Sequence, residues 1–306
     1  MSWRNKVVWS EGMLLQPQHL QQQERHGDHV RHVTMRSTTP YAWGFAELEI
    51  DAAALALGKV ALVRAVGVFA DGTVFDMPAV DPLPAPFDVP AGMRDEVIVL
   101  ALPVRRAGAR EADPEAFEDL VRHRVLESDV PDSNTAGERT ALLQLGQLHT
   151  RLMGARESTD AWTTLGVVQV VERRVDNQLL LDKLRLPPLL DVAAHPVIKG
   201  YVDELHGLLR QRGDALAARM SQTGSGGVAE IADFLLLQTV NRNEAVFAHL
   251  AKASLVHPQR LFEYALGLAG DLASFRDSRR VTQFGPYIHD DLGLSFRPLM
   301  DDLRRS

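Results

Sequence analysis

The sequence contains no cysteine, so neither a disulfide framework nor a thiolate metal site can stabilise the fold. Stability must come from apolar packing and polar contacts alone. With 306 residues, of which 45% are hydrophobic, the chain is long enough to form two domains with separate cores. The absence of cysteine also fits a reducing compartment.

Long apolar runs and an excess of basic residues are missing as well. No stretch approaches the roughly 18 consecutive apolar residues of a membrane span, and Glu11 and Gly12 interrupt the apolar N-terminus where a signal peptide needs continuity. Interfacial helices usually carry a dense Lys/Arg face, but Gln21–Gln23 follow here. With 33 basic against 40 acidic residues, the net charge is −7. We therefore expect a cytoplasmic protein that neither inserts into a membrane nor binds nucleic acid.

No catalytic or cofactor motif is found, and the candidates that come nearest have simpler explanations. The GSGG stretch at 224–227 lacks the Lys-Ser/Thr of a phosphate loop, and Glu47 and Glu49 share a strand face without a partner histidine. Four histidines lie near the start at spacings that do not form a compact ligand set, namely His19, His26, His29 and His32. We predict no catalytic residue, no cofactor and no metal.

What the chain does have is an unusually apolar N-terminus. Seven apolar side chains crowd into fourteen positions: Val7, Val8, Trp9, Met13, Leu14, Leu15 and Leu20. Pro17 is suited to the first turn of a helix over residues 17–36, but this helix has few apolar positions and is weakened by Gly27. We expect it to be short or stabilised by a partner.

Residues 41–185 have the pattern of a β-rich domain. Asp71-Gly72 separates two β-rich runs and predicts a hairpin, and Asp176-Asn177 predicts another turn. Residues 95–104 (DEVIVLALPV), 117–130 and 161–174 suggest further strands, whereas residues 138–153 fit either strand or helix. Short strands separated by turns favour a β-sandwich or barrel over a βαβ sheet.

The last third of the chain changes to helical periodicity. The connection at 184–196 contains three prolines, and residues 196–306 then predict four helices with short connections, which is typical of a four-helix bundle. The helix over 228–251 is so apolar around Ile231 and Phe234–Leu237 that we expect it to be central. We expect Pro298 only in a first turn. The overall prediction is an α+β multidomain protein.

Three stretches together resemble one family. WSEGMLLQPQHLQQQERH, from Trp9 to His26, is similar to the pattern W-x-E-G-M-x-L-x-P-Q-H-F-Q-Q that opens the TssK (VasE/ImpJ) family of type VI secretion baseplate proteins. PYAWGFAELEID with GVFADGTVFDMP resembles the strands that follow in that family, and HPQRLFEYALGLAGDLASF with YIHDDLGLSFRPL resembles its later helices. Leu14 and Leu20 stand where the family often has aromatic residues, and both keep an apolar side chain.

The resemblance implies a non-catalytic, phage-tail-like structural adaptor that forms a homotrimer. It implies a docking segment at 1–20, a β-sandwich "shoulder" at 21–185 that is similar to phage receptor-binding proteins, and a helical "neck" at 196–306. Family members also carry a C-terminal head domain that links the baseplate to the membrane complex TssJ-TssL-TssM. Because the sequence ends at Ser306, just after the neck pattern, we expect that link to depend on a head domain missing from this chain.

In the family, the N-terminal segment attaches the trimer to the wedge proteins TssF and TssG at the cytoplasmic face of the inner membrane. Carried over by motif position, with the neighbouring apolar residues, the docking candidates are Val8, Trp9, Gly12, Met13, Leu14, Leu15, Pro17, Gln18 and His19. Trp and Met are typical anchors of protein interfaces. The alternative is that residues 7–20 pack within their own chain or trimer.

Two other functions remain open from the sequence. One is a receptor- or carbohydrate-binding module, by analogy with the phage-like shoulder, although fold analogy is a weak argument for function. The other is a small-molecule enzyme with a pocket between the two domains, which would require convergent titratable groups with perturbed pKa values.

Overall fold

A computed structural model describes residues 3–113, 120–134, 139–222 and 228–306. The chain divides into two compact units, residues 1–182 and 183–306. Among the described residues, the first unit contains all the strands and two α-helices, and the second contains four α-helices. The result is a mixed α/β fold in which the β and α parts follow one another along the chain.

Unit 1 contains twelve strands among its described residues and two helices, α1 (Pro17–Thr38) and α2 (Ala52–Ala56). Their sheets have the orders β1-β3-β4, β10-β6-β11-β12, β2-β5 and β7-β8-β9, and almost all neighbours are antiparallel. The strands are β1 Gly44–Ile50, β2 Lys59–Val60, β3 Leu62–Val68, β4 Val74–Met77, β5 Phe87–Asp88, β6 Arg94–Pro103, β7 Ala112–Asp113, β8 His123–Pro131, β9 Thr140–Leu148, β10 Arg151–Gly154, β11 Trp162–Arg173 and β12 Leu179–Leu181.

The core of unit 1 forms where the apolar runs of the sequence become strands. β6 lies between β10 and β11, and Ile98, Leu100 and Leu102 are completely buried. This is the buried strand that its nearly unbroken apolar run predicts. In the other main sheet, Phe45 and Phe75 pack edge to face with ring centroids 5.9 Å apart.

The predicted hairpin at Asp71-Gly72 is confirmed and joins β3 to β4. Gly72 has φ +86°, a conformation that glycine adopts without steric cost. The Asp71 carboxylate accepts a hydrogen bond from the Thr73 N–H at 3.1 Å, which closes the turn locally. The predicted turn at Asp176-Asn177 also lies between two paired strands, β11 and β12.

Helix α1 corrects the first of two alternatives, that it is short; stabilisation by a partner stays a prediction. It is a single 22-residue helix rather than a short one, although none of its residues is buried. A glycine costs a helix only about 1 kcal/mol, so Gly27 alone does not end it. Contacts along one side compensate: the Asp28 carboxylate pairs with Arg105, and the Gln22 amide donates to the carbonyls of Trp3 and Asn5 at 3.2 and 2.6 Å.

Unit 2 consists of α3 (Pro196–Gln222), α4 (Val228–Leu250), α5 (Pro258–Ala273) and α6 (Leu292–Arg304). Prolines 196 and 258 open α3 and α5, where a missing N–H costs nothing. The apolar side of α5 is buried at Leu261, Ala265, Leu268 and Leu272. The GSGG stretch lies outside the described residues.

Two helix predictions were wrong. The apolar start of α4 is not central in the single chain, because Ile231 and Phe234 are 62% and 55% exposed and full burial begins only at Val240. Pro298 lies inside α6, which begins at Leu292, rather than in a first turn. The carbonyl that Pro298 leaves without its helical partner belongs to Leu294, a residue on the exposed side of the helix, where water can satisfy it.

Candidate docking segment

The N-terminal segment, residues 8–19, exposes most of its apolar side chains. Val8, Leu14 and Leu15 are 78%, 79% and 64% exposed, and Trp9 is half exposed. Met13 and His19 are partly covered, whereas Gly12, Pro17 and Gln18 are exposed. Only Val7, just before the segment, is buried. The segment is therefore an apolar surface on this chain, and its predicted binding role stays a prediction.

Although exposed, the segment has a defined shape. The Met13 N–H donates to the Ser10 carbonyl at 3.3 Å, and Gly12 in this turn has φ +76°. At the start of α1, the Gln16 N–H donates to His19 Nδ1 at 3.1 Å, while the His19 N–H donates to the Gln16 carbonyl at 3.0 Å. Such reciprocal bonds satisfy backbone donors that a helix start leaves free.

The ring of Trp9 packs against the ring of His19, with centroids 5.9 Å apart and planes inclined by 45°. This contact brings the beginning of the segment back to the first turn of α1. Leu14 and Leu15 lie in the loop between these two residues, and both are largely exposed. We call Trp9, Leu14 and Leu15 the apolar tip.

Residues 3–7 hold this tip against α1. The guanidinium of Arg25 stacks over the Trp3 ring at 5.4 Å from its centroid, and His26 Nδ1 lies 3.0 Å from the Arg4 carbonyl oxygen. Together with the Gln22 hydrogen bonds, these contacts fix the chain that enters the docking segment. A deletion that removes residues 3–7 would therefore disturb α1 as well as the segment.

Charged side chains connect α1 to the chain that follows β6. We call Asp28, Arg105 and Glu111 the polar seat of α1. Asp28 accepts hydrogen bonds from Arg105 and Arg31, and Glu111 lies 3.8 Å from Arg105. Burial acts to lower the pKa of Arg105, but the hydrogen bond to Asp28 and the charge of Glu111 outweigh it and raise that pKa. Arg105 therefore stays protonated over the whole physiological range.

The second contact of α1 is made by His32. A side-chain carbon at Gly72 would collide with the His32 imidazole, so the hairpin turn and α1 touch at this point. Burial, with the positive charge of Arg36, lowers the pKa of His32. A neutral imidazole therefore faces the turn. Arg122 holds the turn from its other side through Asp71 at 2.8 Å.

The histidines do not assemble into a ligand set. His19 caps α1, His26 faces the Arg4 carbonyl, and His32 packs on the hairpin turn. Within the described ranges, no group of three His, Asp or Glu side chains is placed to hold a metal ion. The same part of the chain holds no helix with the length and apolarity needed to cross a membrane.

Two exposed apolar surfaces were missed by the sequence reasoning. One is the first half of α4, which was predicted to be central but is largely exposed. The other is the paired strands β8 and β9, where Leu126, Leu142, Leu143 and Leu145 are 40–65% exposed. The sequence ALLQL at residues 141–145 was a visible signal, because four of its five residues are apolar and a strand with one solvated face normally alternates.

Known proteins match this chain over its whole length. Residues 19–306 match a family model described as bacterial type VI secretion, EvfL, ImpJ, VasE. The type VI secretion system baseplate component TssK1 of Pseudomonas aeruginosa is 45% identical over 309 residues, which cover 100% of this chain and 69% of that protein. Residues 8–18 thus lie outside the family model but inside the match to TssK1.

Solved structures agree with this result. A crystal structure of TssK has a TM-score of 0.93 and 39% identity, covering 99% of this chain and 69% of the other. A chain in the TssK-TssF-TssG baseplate subcomplex seen by cryo-electron microscopy has a TM-score of 0.85 and 28% identity, covering 98% of both chains. Fold and sequence lead to the same assignment: this chain belongs to the TssK (VasE/ImpJ) family of bacterial type VI secretion baseplate proteins.

Proposed function

We propose that this protein is a non-catalytic structural adaptor of the type VI secretion baseplate. It forms a homotrimer at the cytoplasmic face of the inner membrane and docks its N-terminal segments onto wedge proteins of the TssF and TssG type. Units 1 and 2 correspond in this proposal to the shoulder and the neck. The link to a TssJ-TssL-TssM membrane complex belongs to a head domain, and the proposal for these 306 residues is confined to the wedge.

The observation that carries the docking proposal is the exposed apolar tip. Trp9, Leu14 and Leu15 are exposed on a short stretch of chain whose backbone is shaped by the turn at Gly12 and by the contact of Trp9 with His19 at the start of α1. Exposed aromatic and aliphatic side chains on a defined backbone are typical of interface anchors. The solved TssK-TssF-TssG subcomplex supports TssF and TssG as the class of partner.

The trimer proposal is supported by the first half of α4. Ile231, Phe234 and Leu235 are 62%, 55% and 47% exposed in the single chain, and they lie at helical spacings that bring them to one side. An exposed stripe of this size on a long helix is usually covered by another helix. We assign the cover to the same helix of neighbouring copies.

The test is the paired change Leu14→Asp and Leu15→Asp in the trimeric protein. We expect binding to a purified TssF–TssG complex to weaken about 100-fold, because two charges replace the apolar anchors of a desolvated contact. Biolayer interferometry measures the affinity, and native mass spectrometry checks that the trimer persists. Substitution is preferable to deletion because residues 3–7 also support α1.

The matched control is Val175→Asp, which places the same charge on a fully exposed residue in the turn between β11 and β12. This variant should bind like the unchanged protein. Wild-type affinity in the Leu14/Leu15 variant would refute the docking proposal. A large fall in melting temperature in that variant would instead support packing of the segment within its own chain.

A cavity in unit 1 does not favour an enzyme. It has a volume of about 220 Å³ and is lined by Arg105, Arg106, Arg110, Arg122 and Glu111. Guanidinium groups remain protonated and do not serve as general bases. The titratable side chains that line the cavity are these four arginines and one carboxylate, so Glu111 has no second acid or base beside it for acid–base catalysis.

A further inference from the structure

A small cavity in unit 1 is lined mainly by the chain that follows β6 and by the residues just before β8. We call it the arginine cavity, because its wall contains four guanidinium groups and one carboxylate, those of Arg105, Arg106, Arg110, Arg122 and Glu111. Its volume is about 220 Å³, whereas sites for drug-sized molecules usually have about 300–1,000 Å³. The arginine cavity therefore suits an ion or a molecule of a few atoms.

Three polar atoms of this wall are buried without a hydrogen-bond partner. They are Nε of Arg105, Nε of Arg122 and Oε1 of Glu111, three of the six such side-chain atoms in the described part of the chain. Buried polar atoms in native proteins are nearly always hydrogen-bonded, so three of them in one wall indicate a ligand or a water molecule. Because two of the atoms are donors and one is an acceptor, the matching partner must both accept and donate hydrogen bonds.

The electrostatics favour an anion over water as this partner. Arg122 is 2% exposed, and burial together with the charge of Arg105 lowers its pKa although Asp71 pairs with it at 2.8 Å. Burial and then the charges of the same two arginines also lower the pKa of His123. Water would satisfy the three unpaired atoms, but only a negative charge would also offset the positive field around them.

The two remaining arginines extend the positive wall. Arg106 forms no ion pair with any described residue, and Arg110 lies 3.7 Å from Asp113. Both arginines are exposed, so their side chains can adjust around a ligand. Guanidinium groups bind oxyanions through paired N–H donors, which makes an oxyanion the chemical class that fits this wall.

We propose that the arginine cavity binds inorganic phosphate. At neutral pH a phosphate ion keeps a proton on at least one oxygen, so it accepts hydrogen bonds from the two Nε groups and donates one to Oε1 of Glu111. Sulfate has the same shape but carries no proton, and it would place an oxygen against the Glu111 carboxylate. The site therefore selects phosphate over sulfate. This proposal is independent of the docking of the N-terminal segment.

A phosphate at this place would also support helix α1. Arg105 binds Asp28 of α1, and Arg122 binds Asp71 in the hairpin turn that touches α1. An ion held between the two arginines would reinforce both contacts. Because it binds only the folded chain, phosphate should raise the melting temperature, and sulfate should raise it much less.

Isothermal titration calorimetry of the 306-residue chain with sodium phosphate tests the site, with sodium chloride holding the ionic strength constant. We expect one phosphate per chain with a dissociation constant of about 1 mM or lower. Arg106→Gln should weaken binding about tenfold, because it removes a guanidinium that no described carboxylate neutralises. The control Arg174→Gln removes the same charge at an exposed position just after β11 and should leave the affinity unchanged.

The role of Glu111 is tested by the same titration with sodium sulfate. We expect the unchanged protein to prefer phosphate over sulfate at least about tenfold. Glu111→Gln replaces the carboxylate with an amide that can donate to either ion, so the preference should disappear. Glu111 is only partly buried, and the melting temperature of each variant in chloride checks that it folds.

The position of the ion can be read from His123. A negative charge beside Arg105 and Arg122 offsets their effect on the imidazole, so phosphate should raise the pKa of His123. NMR of ¹³C-histidine-labelled protein measures this pKa with and without phosphate. In Arg106→Gln the same phosphate concentration should raise it less.

Absence of binding at about 10 mM phosphate would refute the proposal. Equal affinities for phosphate and sulfate, or an equal loss of affinity in Arg106→Gln and Arg174→Gln, would refute it as well. Binding that leaves the pKa of His123 unchanged would place the ion elsewhere and contradict the site. O-phosphoserine bound more tightly than inorganic phosphate would assign the cavity to a phosphorylated side chain and overturn the assignment to the free ion.

Discussion

Arg276→Met is expected to lower the free energy of unfolding of unit 2 by about 3 kcal/mol, because it leaves a buried carboxylate without its cation. Asp302 is 5% exposed. Arg276 donates to both its carboxylate oxygens, at 3.0 and 2.7 Å, and Thr282 donates to one of them at 2.8 Å. Chemical denaturation at pH 7 measures the loss. Arg280→Met, at an exposed position four residues further along the chain, should change stability by less than about 0.5 kcal/mol.

The size of this effect should depend on pH. The hydrogen bonds from Arg276 hold the pKa of Asp302 below its ordinary value against the opposing effect of burial, and Thr282 adds to the lowering. A depressed native pKa contributes stability above the unfolded pKa and loses it as pH falls through the native value. Below about pH 4 the difference between Arg276→Met and the unchanged protein should therefore shrink. A loss that is the same at pH 3 and pH 7 would mean that packing, not charge, is what Arg276 provides.

Gly293→Ala is expected to destabilise unit 2 by about 3 kcal/mol, because an added methyl group has no room. Gly293 is buried in the first turn of α6, and a side-chain carbon there would overlap the Leu184 carbonyl oxygen. That carbonyl belongs to the stretch that runs beside the start of α6, where the Leu292 N–H donates to Leu186 at 3.1 Å. The clash is with backbone on both sides, so no side chain can turn away to relieve it.

The control for this change is Gly267→Ala, in the middle of α5. Nothing lies within 4 Å of an added carbon at Gly267, and the residue is exposed. Alanine in an open helical position should raise stability by about 0.5–1 kcal/mol. Thermal unfolding of the two variants should thus move in opposite directions. A Gly293→Ala protein that melts like the unchanged one would show that the connection beside α6 shifts freely.

Turns and long apolar runs were predictable from the sequence. Asp71-Gly72 specifies its hairpin through local chemistry, and the apolar run of β6 specifies a buried strand wherever its neighbours lie. Residues 138–153 remained ambiguous because leucine suits both helix and strand. The structure places Thr140–Leu148 in β9 and Arg151–Gly154 in β10, where pairing with β8 and β6 determines the strand conformation.

Faces of helices were less predictable, because burial depends on what packs against the helix. In α3 the sequence has apolar residues at Tyr201, Leu205 and Leu208, a spacing that favours one buried helix face. Leu208 is nevertheless 42% exposed, whereas Val202 and Leu209 are buried. The buried residues Val202 and Leu209 lie one position after Tyr201 and Leu208, and both pairs satisfy the same helical spacing. The prediction for the apolar start of α4 was wrong for a related reason. An apolar sequence does not reveal whether the helix packs against its own chain or against another one.

The candidate docking residues were identified from the family motif, but the motif did not reveal their arrangement in space. The sequence names Trp9, Leu14 and Leu15, but the ring contact of Trp9 with His19 and the polar seat of α1 at Arg105 join residues far apart in the chain. Such long-range contacts leave no local pattern. The resemblance supplied the probable role of the segment, and the structure supplied its shape and exposure.

The reciprocal hydrogen bonds between Gln16 and His19, with the turn from Ser10 to Met13, have a kinetic consequence. A segment that is folded before it meets its partner does not have to be ordered during the encounter, so little conformational entropy remains to be lost. Association then depends on diffusion and orientation, which vary little between variants of one surface. The lifetime of the complex, governed by how deeply Trp9 and the two leucines are seated, would set how long an adaptor stays on its baseplate.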